Sequence, residues 1–254
     1  MLTQARKMMY RARGYCNGRL GGEPFRLDPY HSKFWHKAAA GRWEPRTFAV
    51  LDEHLDKAHD YLDIGAWIGP TVLYGARKAR HVWCFEPDPE AFRALAWNIE
   101  LNRLDNVSAF AAALSQEFGV ARMAGFRGEK GDSTTSLLNP QGSAGSDVLT
   151  LRFGQFADAV DLSGVSLVKL DVEGAEFDIL PTLLPWLTAR RPALYLSTHA
   201  PFLAPDRRRD RMQALVQALA FYGRWQGEEG EAIDPDGLTQ DAELGRFRTL
   251  LLQP

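Results

Sequence analysis

The stretch Tyr61-Leu-Asp-Ile-Gly-Ala-Trp-Ile-Gly69 constrains the chain more than any other. Tyr61, Leu62 and Ile64 suit a short buried strand, which Asp63 interrupts near its C-terminal end. Gly65 and Gly69 then bracket a tight loop, and residues 71–79 continue as a helix. A strand, a glycine loop and a helix make a turn that can cradle a phosphate or a nucleoside. Glycines let the backbone approach a ligand closely, and the helix N-terminus offers unpaired N–H groups. The spacing is Asp-x-Gly-x-x-x-Gly, not the Gly-x-Gly-x-x-Gly of dinucleotide binders. A carboxylate inside the loop repels a pyrophosphate but suits a cationic ligand such as S-adenosylmethionine.

The next apolar run, His81-Val-Trp-Cys-Phe-Glu86, ends in an acid about 20 residues after Gly65. An acid at the tip of the second strand of a nucleoside-binding α/β fold accepts from both ribose hydroxyls. The plainer alternative makes Glu86 an N-cap or surface acid ahead of Pro87-Asp-Pro.

The 254 residues fit one large domain, with 45% hydrophobic and 24% charged residues as in a soluble globular protein. A formal net charge of −2 gives no argument for a nucleic-acid partner. Cys16 and Cys84 are the two cysteines, and no disulfide, a reducing compartment and a cytoplasmic location are expected. No apolar run is long enough to span a bilayer, and no signal peptide is evident. Arg6, Lys7, Arg11, Arg13 and Arg19 make the N-terminus basic, either as a membrane- or substrate-binding arm or as a solvated terminus.

Residues 1–30 are poorly periodic, with Gly14, Gly18, Gly21 and Gly22 breaking any helix. Helices are expected over 47–55, 89–104, 175–187 and 207–221, the third broken or kinked at Pro181. Strands are expected over 107–114, 165–170, 192–196 and 247–252, with shorter ones near 119–123 and 150–153 and a short helical segment over 156–162. Residues 125–147, rich in Gly, Ser and Thr, read as a mobile loop. This alternation predicts a mostly parallel sheet with helices on both faces, and ligands at the strand C-terminal ends. That edge collects residues 63–69, Glu86, 112–114, 171–174 and 197–199.

The sequence resembles the FkbM family of S-adenosylmethionine-dependent methyltransferases. The likeness rests on LDIGAWIG at 62–69, FEPDPEAFRALAWNIELN at 85–102, AALS at 112–115 and VKLDVEGAEFDIL at 168–180. It runs from about Glu44 to Leu203, so residues 1–43 are read as an arm on the substrate side and 44–254 as the catalytic domain. The resemblance implies a single-domain Rossmann-like class I methyltransferase fold, with a seven-stranded, mostly parallel sheet and an antiparallel last strand. It further implies S-adenosylmethionine as cofactor and O-methylation of a small-molecule hydroxyl on a sugar, glycan or polyketide, and it leaves room for a homodimer. Two departures stand out. Trp67 replaces a common Asn, and Ser197-Thr-His199 replaces a Glu-hydrophobic-His ending to the fifth strand.

The implied cofactor site comprises Asp63, Gly65, Ala66, Gly69, Thr71, Glu86, Pro87 and Asp171, with Ala112 near the adenine and Glu44 reaching for the amino group. A hydroxyl is a poor nucleophile until a base takes its proton, and His199, Asp171 and Glu173 are the candidates. An unperturbed imidazole titrates near 6.5, which suits His199, while Glu173 could instead cap a helix starting at Gly174. Two acids and one histidine are not a diagnostic metal set, so no metal is expected. Lys169 is read as structural, and His36, Trp35 and Trp43 as a substrate entrance or a packing cluster. The rival functions are a nicotinamide-dependent oxidoreductase and a non-catalytic S-adenosylmethionine-binding protein.

Overall fold

The computed structural model describes residues 4–125, 135–136 and 145–254. Most of the 125–147 loop expected from sequence therefore lies outside the described residues.

The chain opens with helix α1 (Gln4–Arg13), a hairpin of β1 (Cys16–Leu20) and β2 (Glu23–Leu27), then α2 (Ser32–Ala39) and α3 (Pro45–His54). Alternating units follow: β3 (Asp60–Ile64), α4 (Pro70–Lys78), β4 (His81–Phe85), α5 (Pro89–Leu101) and β5 (Val107–Phe110). Next come β6 (Ala113–Ser115), β7 (Gly119–Gly125), β8 (Thr135–Ser136), β9 (Ser146–Arg152) and α6 (Phe153–Ala159). The last part holds β10 (Val165–Leu170), α7 (Glu176–Arg190), β11 (Ala193–Thr198), α8 (Arg208–Ala218), β12 (Arg224–Gln226), α9 (Asp241–Leu244) and β13 (Arg248–Gln253).

The main sheet has seven strands in the order β12-β13-β11-β10-β3-β4-β5. Pairing from β11 through β5 is parallel, and β13 enters antiparallel between β11 and β12. This is a mostly parallel seven-stranded sheet with an antiparallel late strand, as the family resemblance implied. Strand alternation divides its core: Leu62, Ile64, Val168 and Leu196 pack with α7 and α8, while Tyr61, Cys84, Leu167 and Tyr195 pack with α3 and α4. Both cysteines are free and buried. Among the described residues no helix is long and apolar enough to cross a membrane.

Three elements differ from the sequence reading. Residues 107–114 do not form one strand. β5 is the sheet's edge, and the chain then leaves it so that Ala113–Ser115 can pair with β9 in a small second sheet. The helix over 175–187 runs unbroken as α7 past Pro181 and Pro185, with Ile179, Leu180, Leu183 and Leu187 buried. The N-terminal glycines do not leave the segment irregular: α1 ends before Gly14, and Gly21 and Gly22, at φ 53° and 86°, turn the β1–β2 hairpin.

That hairpin and α2 are built into the molecule. Leu20, Leu27 and Trp35 are almost fully buried in the same core cluster as Val72, Tyr74 and Leu95. Asp28 accepts from the Trp35 indole N–H at 2.9 Å, and its own N–H donates to Asn98 Oδ1 at 2.7 Å. Asn98 in turn donates to the Ile68 carbonyl at 2.9 Å, tying the arm to the glycine loop. Trp35→Ala is expected to cost roughly 3–5 kcal/mol and to lower the midpoint of one cooperative unfolding transition. A urea melt that loses only the arm, with the rest at its wild-type midpoint, would contradict this.

Candidate active site

The tips of four adjacent strands carry the site. β3 passes into Gly65, β4 into Glu86, β10 into Asp171 and β11 into His199. They open on a cavity of about 390 Å³, walled on the far side by Phe34, Trp43 and Glu44.

The glycine loop is set by close approach. A Cβ on Gly65, at φ 90°, would stand 1.8 Å from the Asp171 carbonyl oxygen. Gly69, at φ 94°, starts α4 and leaves room for Leu95. Between them Trp67 adopts φ 48°, and its N–H donates to Glu86 Oε2 at 2.7 Å. Glu86 Oε1 accepts from the Asp88 N–H at 2.8 Å. Each carboxylate oxygen is thus fixed by backbone and retains a second lone pair toward the cavity. Burial raises Glu86 to about 7 despite these donors.

Lys169, read as structural from sequence, lies near the end of β10, two residues before Asp171; it lines the cavity and lies under the loop. Its Nζ sits 3.3 Å from Asp63 Oδ1, 3.1 Å from the Gly65 carbonyl and 3.7 Å from Asp171 Oδ2. Burial opposes its charge, but Asp63, Asp171 and Glu44 together hold its pKa above the ordinary lysine value. Asp63 is wholly buried and accepts from Tyr61 Oη at 3.0 Å and Thr71 Oγ1 at 2.5 Å. Asp63 therefore supports the loop from beneath and does not line the cavity.

Glu44 begins α3 in a left-handed conformation, φ 37°, and accepts from Thr47 Oγ1 at 3.1 Å. Burial and the neighbouring Asp171 carboxylate raise it to about 7. Both raised acids bind protons in the folded state that the unfolded chain releases at 4.5. Their effect is to withdraw stability as pH rises from about 4.5 to 7.

Outside the cavity lining but next to Asp171 and Glu173, His199 is buried, its ring 5° from parallel with that of Phe202, and it faces three acids. Its Nε2 lies 3.4 Å from Glu173 Oε2 and 3.6 Å from Asp171 Oδ1, and its Nδ1 lies 3.4 Å from Glu176 Oε1. Burial alone lowers the imidazole pKa, but Glu176, then Asp171 and Glu173, lift it to about 9, well above the unperturbed value used in the sequence reading. Asp171, Glu173 and His199 offer ligand atoms within 4.8 Å of one another, so they could also hold a cation.

Glu176 is the functional residue that the sequence reading missed. α7 starts at Glu176 rather than Gly174, so Glu173 is not its cap; Glu173 sits before it at φ 53°. The fully buried Glu176 carboxylate accepts from the Gly174 N–H at 2.8 Å and the His199 N–H at 2.6 Å. It brings to His199 the acid absent at Ser197. Its signal was the last acid of Asp171-Val-Glu-Gly-Ala-Glu176.

Of the residues expected from sequence, Glu44, Gly65, Ala66, Thr71, Glu86, Pro87, Ala112, Asp171 and Glu173 line one cavity. Asp63 and Gly69 lie behind its wall, and His199 behind Asp171 and Glu173. Trp43 and Trp67 line it too, whereas Trp35 is core and His36 bonds back to the Ser32 carbonyl.

Strand order and strand-tip acids define a Rossmann-like class I methyltransferase domain. Residues 63–212 match the model of the methyltransferase FkbM domain, and the chain belongs to that family. It is 29% identical over 157 residues to "Methyltransferase 1" of Beauveria bassiana (strain ARSEF 2860), covering 50% of this chain and 62% of the relative, less than two thirds of its length. A crystal structure of methyltransferase FkbM from Methylobacillus flagellatus KT aligns with TM-score 0.47 and 16% identity, over 78% of this chain and 44% of that one. An O-methyltransferase from Bacillus cereus in complex with SAH aligns with TM-score 0.46 and 12% identity, over 83% and 80%. S-adenosylmethionine is the cofactor of this family.

Lys169→Met tests the buried charge beneath the loop. It leaves Asp63 uncompensated and is expected to cost roughly 3–5 kcal/mol, read from denaturant midpoints at pH 7. An unchanged midpoint would show that the ammonium carries no net structural weight.

Proposed function

We propose that the chain is an S-adenosylmethionine-dependent O-methyltransferase acting on a hydroxyl of a small molecule of the sugar, glycan or polyketide type. The observation that carries this reading is that acids following β4 and β10, the two strands that flank β3, line one cavity with the glycine loop between them. Glu86, its oxygens fixed by the Trp67 and Asp88 N–H groups, suits the ribose hydroxyls. Asp171 and Glu173 face the cavity opposite, backed by His199. Among the described residues four acids, Glu44, Glu86, Asp171 and Glu173, line it against two lysines, Lys37 and Lys169, which favours a cationic sulfonium and amine over a pyrophosphate. The same balance disfavours a nicotinamide dinucleotide.

In the reaction the acceptor oxygen attacks the methyl carbon in line with sulfur. The O–C bond forms, the S–C bond breaks, and S-adenosylhomocysteine leaves. The hydroxyl proton passes to a carboxylate of Asp171 or Glu173, the acids that reach the cavity, while His199 behind them orients the pair. Positioning supplies much of the rate, and proton acceptance a further factor of roughly 10²–10⁴. His199→Ala is expected to lower turnover roughly a hundredfold, with cofactor affinity nearly intact. Wild-type turnover in that variant would remove His199 from the mechanism.

Cofactor binding has a pH signature. Ribose hydroxyls favour the ionised Glu86, which free protein holds near 7. Affinity for S-adenosylmethionine should therefore weaken roughly tenfold from pH 8 to pH 6. Glu86→Gln should bind more weakly and flatten that profile, separating Glu86 from Glu44 on the same cavity. Calorimetry across this range is the measurement; NAD binding without S-adenosylmethionine binding would sink the whole proposal. Transfer of a labelled methyl to any hydroxyl acceptor would exclude a purely binding role.

A further inference from the structure

The meeting of Asp171, Glu173 and His199 has a geometry that a proton-sharing cluster does not require. Imidazole and carboxylate joined by hydrogen bonds stand roughly 2.7–3.2 Å apart. Here His199 Nε2 is 3.4 Å from Glu173 Oε2 and 3.6 Å from Asp171 Oδ1. Ligands on a tetrahedral ion, with bonds of roughly 2.1 Å, are separated by about 3.4 Å, which the two separations from Nε2 approach, and the three ligand atoms all lie within 4.8 Å of one another.

The surroundings orient all three groups for this. Glu176 Oε1 lies 3.4 Å from His199 Nδ1, so an acid stands on the side of the imidazole away from Asp171 and Glu173. The imidazole, with about 10% of its side chain exposed, is held flat against Phe202. Lys169 takes the far oxygen of Asp171, Oδ2, leaving Oδ1 toward His199.

We propose that His199 Nε2, Asp171 Oδ1 and Glu173 Oε2 bind one divalent cation, with a coordination position open to the cavity that the two acids line. The inference rests on the methyl-transfer reading of this site and deepens it. The cation would hold the acceptor through its hydroxyl oxygen and lower that hydroxyl's pKa. One imidazole and two carboxylates suit manganese or zinc as well as magnesium.

The full chain, treated with chelator and dialysed, is titrated with Mn²⁺ and followed by electron paramagnetic resonance, with Zn²⁺ and Mg²⁺ as competitors. One site saturating in the micromolar range is expected, weakened at least tenfold in Glu173→Gln and in His199→Gln when both retain wild-type melting. The inference is overturned by a wild-type chain with no site below millimolar Mn²⁺, or by unchanged Mn²⁺ affinity in both variants. Calorimetry with S-adenosylmethionine in chelator separates the two readings. Cofactor binding and undiminished methyl transfer without metal remove the cation and leave the methyltransferase. Mn²⁺ binding at these residues without any cofactor binding keeps the cation site and removes the methyl-transfer reading.

Discussion

The site depends on one buried ammonium. Lys169 stands opposite Asp63 in the parallel register of β10 and β3, with Leu170 opposite Ile64 one step nearer the tip. From there Nζ reaches the Asp63 carboxylate, the Gly65 carbonyl and Asp171. The Asp171 N–H closes the tip by donating to the Ile64 carbonyl at 2.9 Å. Burying a charge is costly unless it is paired and hydrogen-bonded, and Lys169 meets both conditions. Its placement fixes how near the two tips can come, and that nearness is why position 65 has no room for a side chain.

The same cation accounts for the charge of the cavity. By neutralising Asp63 beneath the loop, it leaves Glu44, Glu86, Asp171 and Glu173 as the acids that a ligand meets. Glu44 and Glu86 are pushed up to about 7, chiefly by burial, so the free protein carries acids that are only partly ionised near neutrality. A cationic ligand, or one with paired hydroxyl donors, favours their ionised forms. The destabilisation of these acids between about pH 4.5 and 7 is thereby converted into binding that strengthens with pH.

Much of this was legible because it is local. Strand-loop-helix order, the acid about 20 residues after Gly65 and the Asp-x-Glu-Gly run each sit within one element or its tip. The strand near 247–252 was legible from Leu250-Leu-Leu252, and its antiparallel direction only from the family resemblance. What escaped depended on distant partners. Glu176 was given no role, because only the fold shows β11 bringing the His199 N–H to it, across 23 residues. Lys169 was read as structural, but its partners, the Asp63 carboxylate and the Gly65 carbonyl, belong to β3 and its loop more than 100 residues earlier. Gly21-Gly22 carried a hairpin signal, but its flanking strands are short and half polar, so the periodicity was weak. The path after β5 could not be read, since nothing in residues 107–114 says where an edge strand stops.

Backbone strain shows where local preference gives way to the site. Among the described residues, five other than glycine have positive φ: Glu44, Trp67, Arg103, Glu173 and Arg191. Arg191 is the C-cap of α7 and Arg103 directly follows α5, positions where a left-handed residue ends a helix. The other three all line the cavity. Each such conformation costs on the order of 1–3 kcal/mol and persists only when its surroundings over-determine it. Trp67 is held by its N–H on Glu86, and Glu44 by Thr47, whose hydroxyl also meets Tyr195 Oη at 3.1 Å. At Glu173 the strain sits between the tip of β10 and the start of α7, and it turns that carboxylate toward His199. A helix begun two residues earlier would relieve the strain and carry Glu173 off as an ordinary cap. The buried Glu176, accepting from both the Gly174 and the His199 N–H groups, fixes the later start and so keeps the second acid at the cavity wall.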